Sequence, residues 1–250
     1  MRISGFTFIH NAITGGYPLK EAIQSVVPFV DELVIVDMES TDGTTDWLET
    51  IVTSPFCPVR IINGQWGNDA GKTLAAAHSL HTECTHDNIL HFEADEVFDQ
   101  NQLEYFIPVS IKPIEKNVLF YRIQVEQNFQ RIRWYPELVH RFFQKGQVTK
   151  NGHTTHEHDE KNMFIVPMEE GLLWDCTNCF RDNFMGRHRQ QEELWHKTPT
   201  RVKGVPDHFS HDSLVLSDFF NKPHWTWTKS PFNLPPLLKP LVGKERYILE

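Results

Sequence analysis

Apolar and polar positions along the first hundred residues fall into blocks, and each block reads as one element. Ile3 to His10 is β-rich and mostly apolar, which predicts a first strand. Pro18 opens a helix in which Leu19, Ala22, Ile23, Val26 and Val27 recur at helical spacing, and Pro28 and Asp31 end it. Leu33 to Val36 predicts a second buried strand closing on Asp37. The stretch from Glu39 to Thr44 reads as a turn followed by capping residues. Trp47, Leu48, Ile51 and Val52 give the following helix one apolar face. Pro55 and Pro58 break the chain before a third strand, Val59 to Ile62; Gly64 to Lys72 reads as a loop and Thr73 to Leu80 as a short Ala-rich helix. Ile89 to Phe92, short and bounded by polar residues, predicts a fourth strand that is buried.

Strands alternating with helices imply a mainly parallel central sheet with helices on its faces. Such sheets bind ligands beyond the carboxyl ends of their strands. Asn11, Asp37 and the run Glu93-Ala94-Asp95-Glu96 all fall at such ends. Three carboxylates in four positions are unfavourable at a strand end unless water or a cation compensates them. A hard divalent cation, sharing its remaining positions with phosphates, is the simplest compensation; a solvated acidic turn is the alternative.

The second half differs. Val118 to Val125, Glu137 to Gln144 and Met163 to Met168 read as strands, Cys179 to Lys197 as a polar helical stretch, and Pro231 to Pro240 as an extended segment. The expected organisation is a domain over residues 1–170 with an extension, helical and extended, over 171–250 packed on it. Composition narrows the function. With 250 residues and 40% hydrophobic content the chain can bury a large core. A formal net charge of -9, with no basic patch, argues against a nucleic-acid partner. The start has no signal-peptide layout and no apolar run is long enough for a membrane span. Four cysteines in a chain this long do not suggest a disulfide framework, so the expected setting is cytoplasmic, either free or peripheral at a membrane.

Other constellations carry less. The histidines of His153 to Asp159 lack the helical His-Glu-x-x-His spacing of a zinc hydrolase. Cys176-x-x-Cys179 is a lone pair with no second half, better read as two unpaired, partly buried thiols than as a redox or zinc centre. Gly15-Gly16 is a turn, since no Gly-Lys-Ser/Thr follows it. Tryptophans 134, 174, 195, 225 and 227 suit sugar faces as well as core packing.

In this setting the chain resembles the family 2 type glycosyltransferases, which have the GT-A fold. The matching blocks are Phe8 to Ala12, Glu21 to Ser25, Val30 to Asp37, Ser40-Thr41-Asp42-Gly43-Thr44 against the family's Asp-Asp-Gly-Ser-Thr-Asp-Gly-Thr, and Glu93-Ala94-Asp95-Glu96 against its Asp-x-Asp motif. A looser likeness runs through Val139 to Phe143 and His156-Glu157. The resemblance implies a GT-A-like α/β domain that moves a sugar from a nucleotide-diphosphate donor to a glycan or lipid-linked acceptor, with inversion. It implies Mn²⁺ or Mg²⁺ held by Asp95; in the His153 to Asp159 loop, His156 is the histidine expected to complete the shell of that ion, a plain polar loop being the alternative. Glu93 is expected near the ribose, Asn11, Asp37 and Glu39 near the nucleoside, and Lys72 near the nucleotide. The base that activates the acceptor is expected among Glu137, Glu157 and Asp159; Glu137, after Trp134-Tyr135-Pro136, comes first. Two departures stand out: Asp37-Met38 replaces the family's paired aspartates, and Glu93 replaces its first motif aspartate. A sugar-phosphate nucleotidyltransferase and a catalytically silent nucleotide- or carbohydrate-binding protein are the rival readings.

Overall fold

The computed structural model describes residues 2–52, 57–109, 117–126, 129, 131–132, 137–146, 163–168, 172–180, 183, 234–244 and 247–249. Its strands are β1 (Ile3–Ile9), β2 (Glu32–Asp37), β3 (Val59–Asn63), β4 (Asn88–His91), β5 (Glu96–Phe98), β6 (Asn117–Glu126), β7 (Arg131–Ile132), β8 (Glu137–Gln144), β9 (Met163–Ile165) and β10 (Leu173–Asn178). Helices α1 (Ala12–Gly15), α2 (Leu19–Val26), α3 (Thr44–Ile51), α4 (Ala70–Ser79) and α5 (Gln100–Val109) connect the first of them.

One sheet holds all ten of these described strands, in the order β3-β2-β1-β4-β8-β6-β10-β5, with β7 and β9 also paired to β6. The β3-β2-β1-β4 half is wholly parallel, as the strand–helix alternation predicts. From β4 onward the sheet is mixed: β8 runs antiparallel to both β4 and β6, β10 parallel to β6, and β5 antiparallel to β10. The sheet therefore continues past residue 170, with β10 inside it.

Period-two alternation distributes the core to both faces. On β2, Leu33 and Ile35 join the larger cluster with Leu19, Ala22, Ile23 and Val26 of α2 and Leu48 of α3. Val34 and Val36 point the other way, into a cluster with Phe6, Ala77 of α4, Ile89 and Phe143. Each fully buried aliphatic side chain of this kind contributes about 1.5–3 kcal/mol. Helix α4 starts three residues before the Thr73 that composition suggests, because the Asp69 carboxylate caps it by accepting from Lys72 N–H at 3.1 Å. Beyond β10, Leu238, Leu241 and Tyr247 are buried in the main core. Tyr247 donates its hydroxyl to Glu21 Oε2 at 2.7 Å, and its N–H donates to Asn183 Oδ1 at 3.0 Å. Asn183 Nδ2 in turn donates to Ile13 O at 2.9 Å, and a Cβ at Gly16, whose φ is 65°, would lie 2.2 Å from the Asn183 Cβ. Only glycine allows that approach. None of the described helices is long and apolar enough to cross a membrane. The four cysteines are buried and form no disulfide, and burial pushes Cys57 up to about 11 and Cys84 up to about 12.

Among the described residues, histidines 78, 81, 91 and 140 are buried. His81 donates from Nδ1 to His78 O at 2.6 Å and accepts at Nε2 from the Gly146 N–H at 3.1 Å, so its ring is held neutral. Burial lowers its pKa below the ordinary 6.5, with the nearby Lys145 charge acting in the same direction and the His78 hydrogen bond opposing. A lowered folded value means that the unfolded chain takes up a proton the native state refuses. Stability therefore falls as pH drops through the window below 6.5. Urea midpoints at pH 7.5 and 5.5 check this: the midpoint is lower at pH 5.5, and His81→Gln reduces the difference.

Candidate active site

The carboxyl ends of β1, β2, β3 and β4 lie side by side, in the order β3-β2-β1-β4. The turn after β1 and the loop after β2 are clasped together by side chains of the Ser40 to Thr44 block. Asn11 N–H donates to Ser40 Oγ at 2.9 Å, Thr41 N–H to Asn11 Oδ1 at 2.7 Å, and Thr14 N–H to Asp42 Oδ2 at 2.7 Å. Asp42 Oδ1 also accepts from Thr44 N–H at 3.1 Å and Thr44 Oγ1 at 2.6 Å. In this chain, then, the Ser-Thr-Asp-Gly-Thr block builds the loop rather than presenting its own acid as a ligand-facing group. Asn11 stands in the left-handed region at φ 48°, which asparagine tolerates.

Beside this clasp opens a cleft of about 430 Å³ lined by Asp37, Glu39, Ser40, Thr45, Asn63, Gly64 and Gln65. Its volume lies in the range of small-molecule sites, about 300–1,000 Å³. Asp37 is 4% exposed; its Oδ1 accepts from Ser40 N–H at 3.0 Å and its Oδ2 from the Thr45 hydroxyl. Those bonds anchor the loop as well as aiming the carboxylate. Glu39, at φ 56°, accepts from Trp66 N–H at 3.2 Å. Trp66 lies flat on His10, with ring centroids 3.9 Å apart at 8°, and His10 Nδ1 bonds Met38 O at 2.6 Å. Met38, which replaces the family's second aspartate, is 1% exposed and packs in the α4-side core. A Cβ at Gly64 would lie 2.3 Å from its sulfur, so Gly64 leaves the room that Met38 fills. The Met38 side chain faces the core and not the cleft.

The acidic turn follows β4, the neighbour of β1. Its charge is compensated by arginine. Glu96 is fully buried and takes a two-pronged pairing from Arg141, Nε to Oε2 at 2.7 Å and Nη2 to Oε1 at 2.6 Å. Arg141, itself 0% exposed, also reaches Glu93 Oε1 at 3.0 Å. Arg122 adds contacts of 3.2 Å to Glu96, 3.8 Å to Glu93 and 3.7 Å to Asp175 of β10. Burial works to raise the Glu96 carboxyl, but the two arginines outweigh it and hold the group below its ordinary value. Glu93 goes the other way: burial and repulsion from Glu96 and Asp95 raise it against Arg141 and Arg122. Solvent at the 31% of its side chain left exposed moderates the rise. A solvated acidic turn does not describe this arrangement. Asp95, 8% exposed, is fixed through its backbone, where O accepts from Cys176 N–H at 2.8 Å.

The structure thus brings Asp37 and Glu39 together in the cleft, with Asn11 on the adjoining loop, and Glu93 and Asp95 one strand beyond. Lys72 is elsewhere: it sits in the first turn of α4, its side chain is 89% exposed, and it pairs with Asp69 at 3.9 Å. It is not among the residues lining the cleft. Glu137 begins β8, in register with Arg122. His156, Glu157 and Asp159, with tryptophans 134, 195, 225 and 227, lie outside the described residues; Trp174 is 1% exposed and belongs to the core. Among the described residues no three of His, Cys, Asp and Glu converge as a metal-holding group. A cation carried by a diphosphate needs only one or two carboxylates, the phosphates completing its shell. Asp95, beside the arginine-paired Glu93 and Glu96, is a carboxylate of the kind such a shared ion takes.

A family model described as Glycosyl transferase family 2 matches residues 9–172. Among solved structures, TarS 1-349 of S. aureus in complex with UDP aligns at 19% identity and TM-score 0.39, covering 50% of this chain and 36% of that one. The mannosyltransferase PcManGT from Pyrobaculum calidifontis, in complex with GDP-Man and Mn²⁺, aligns at 16% identity and TM-score 0.39, covering 48% and 35%. S. aureus TarS 1-349 also aligns at 13% identity and TM-score 0.47, over 77% and 65%. The chain spans about a third of the length of the first two. No curated protein matches the sequence.

Proposed function

The chain belongs to glycosyl transferase family 2, and from that premise we propose that it transfers a sugar from a nucleoside-diphosphate donor to a glycan or lipid-linked acceptor. The observation that carries the reading is the order β2-β1-β4 at the sheet's carboxyl edge. It sets the Asp37 cleft and the Asp95 turn two strand spacings apart, about 10 Å. A nucleoside seated at the first and a diphosphate at the second would span that distance, with Asn11 between them.

In this reading Asp37 and Glu39 hold the nucleoside end. Asp95 would hold a divalent ion, Mn²⁺ or Mg²⁺, which when bound supplies positive charge against the diphosphate leaving group. Arg122 and Arg141 neutralise Glu93 and Glu96, so that the turn does not repel the donor's phosphates. Transfer proceeds with inversion, a carboxylate of the second half of the chain taking the acceptor proton. Glu137 remains first for that role, ahead of Glu157 and Asp159, since β8 opens on it in backbone register with Arg122. The core-facing Met38 weakens the case for a silent binding protein: its replacement of an aspartate takes no carboxylate out of this cleft.

Incubation with a panel of nucleotide sugars, with and without Mn²⁺, tests the proposal. The expected result is Mn²⁺-dependent donor hydrolysis or transfer confined to one nucleotide class. Tight nucleotide binding without turnover would instead make the chain a silent binding protein.

A further inference from the structure

Glu39 occupies a backbone conformation, φ 56°, that L residues other than asparagine and aspartate seldom adopt. In the family's motif the residue at this place, after the paired aspartates, is glycine, which adopts that conformation without steric cost. The packing does not ask for a carboxylate here. The Glu39 side chain is exposed, and its one hydrogen bond among the described residues, from Trp66 N–H to Oε2 at 3.2 Å, is at the surface, where water would serve as well. Its Oε1 takes part in no hydrogen bond among the described residues. Yet Glu39 lines the cleft together with Asp37, and it holds the backbone of Trp66, whose indole is stacked on His10. A strained residue that contributes no packing and sits on the wall of a ligand-sized cleft is best accounted for by what enters the cleft.

We propose that Glu39 selects the nucleoside of the donor. Its carboxylate, an acceptor with no donor of its own, takes a hydrogen bond from an N–H or O–H of a nucleoside seated beside the His10–Trp66 stack. A nucleoside presenting a carbonyl at that edge meets lone pairs and is refused. The inference rests on the nucleotide-sugar reading and deepens it: Glu39 distinguishes one nucleoside from another.

Calorimetric binding of UDP and of GDP in Mn²⁺, for the wild type, Glu39→Gln and Glu39→Gly, tests it alongside melting temperatures. The expected result is that the wild type prefers one nucleotide. Both variants lose about tenfold or more in affinity for it, a change equivalent to about 1.4 kcal/mol or more, and the ratio between the two nucleotides narrows. Glu39→Gly does so with a melting temperature equal to or above that of the wild type, since glycine relieves the left-handed strain. Affinities of both variants within twofold of the wild type overturn the proposal. So does a Glu39→Gly protein that melts lower and loses both nucleotides in equal proportion, which marks a structural role. A wild type that binds neither nucleotide in Mn²⁺ overturns the nucleotide reading itself, and this inference with it.

Discussion

Asp95→Asn is expected to lower Mn²⁺-dependent affinity for the donor nucleotide about a hundredfold while the protein stays folded. The magnitude follows from losing one anionic oxygen ligand to a divalent ion, a matter of a few kcal/mol, at about 1.4 kcal/mol per factor of ten. The substitution preserves shape. The tie from Cys176 N–H to the Asp95 carbonyl is a backbone bond and survives it. Glu93 and Glu96 keep their arginines, so the turn is not stripped of its compensation. Titration of the nucleotide with and without Mn²⁺ reads the effect, and circular dichroism verifies the fold. Undiminished metal-dependent affinity in the Asp95→Asn protein would remove Asp95 from the ion and the central element of the proposed function with it.

Removing Arg141 has the largest expected effect on stability. Arg141→Met deletes a fully buried cation whose two-pronged contact to Glu96 is 2.6–2.7 Å long, leaving a 0% exposed carboxylate with Arg122 as its remaining arginine partner. Breaking one side of a buried pair costs about 3–5 kcal/mol, because the surviving charge stays out of water. Urea denaturation should show that loss at neutral pH. It should shrink in acid, where Glu96, no longer held down by Arg141, becomes protonated and sheds its charge. The double variant Glu96→Gln/Arg141→Met should recover part of the loss, since a neutral amide is less costly to bury than an unpaired carboxylate. If Arg141→Met costs less than about 1 kcal/mol, the network is not the clamp that its geometry describes.

These two residues also show where the sequence is readable. Strands β1 to β4 and helices α2 and α3 are legible because each carries its own local period. Ile, Val and Phe runs are buried on both faces in a parallel sheet, and Leu19, Ala22, Ile23 and Val26 repeat at helical spacing. The strand-end location of Asn11, Asp37 and Asp95 follows from that alternation alone. What was not legible depends on partners distant in the chain. Helix α5, with its Gln100-Asn101-Gln102 start and Pro108, has no clean period, and β5 is only three residues long. β10, Leu173-Trp174-Asp175-Cys176-Thr177-Asn178, mixes polar with apolar residues because Asp175 meets Arg122 in the charged network. The arginine compensation of the acidic turn links positions 26 to 48 residues apart, so no local spacing announces it. One signal was present: Arg141 interrupts the apolar run Val139 to Phe143, and an arginine inside a buried strand requires a buried anion. His10 and Trp66 were equally invisible as a stack, since 56 positions separate them and only the parallel β1-β2-β3 arrangement brings their loops together.

The place of β10 in the sheet bears on how the protein is made. β5 pairs with β10 alone among the described strands, and Val97 waits for Trp174, roughly 77 residues later in the chain. At about 5–20 residues per second of synthesis, that is a delay of roughly 4–15 s. During it the parallel half can assemble while the acidic turn still lacks one wall. The Asp95 turn is therefore a late, high-contact-order closure, completed after the Asp37 cleft. A ribosome-bound chain arrested before residue 173 would carry the Asp37 cleft with an unfinished Asp95 turn, the two parts of the carboxyl edge being completed one after the other.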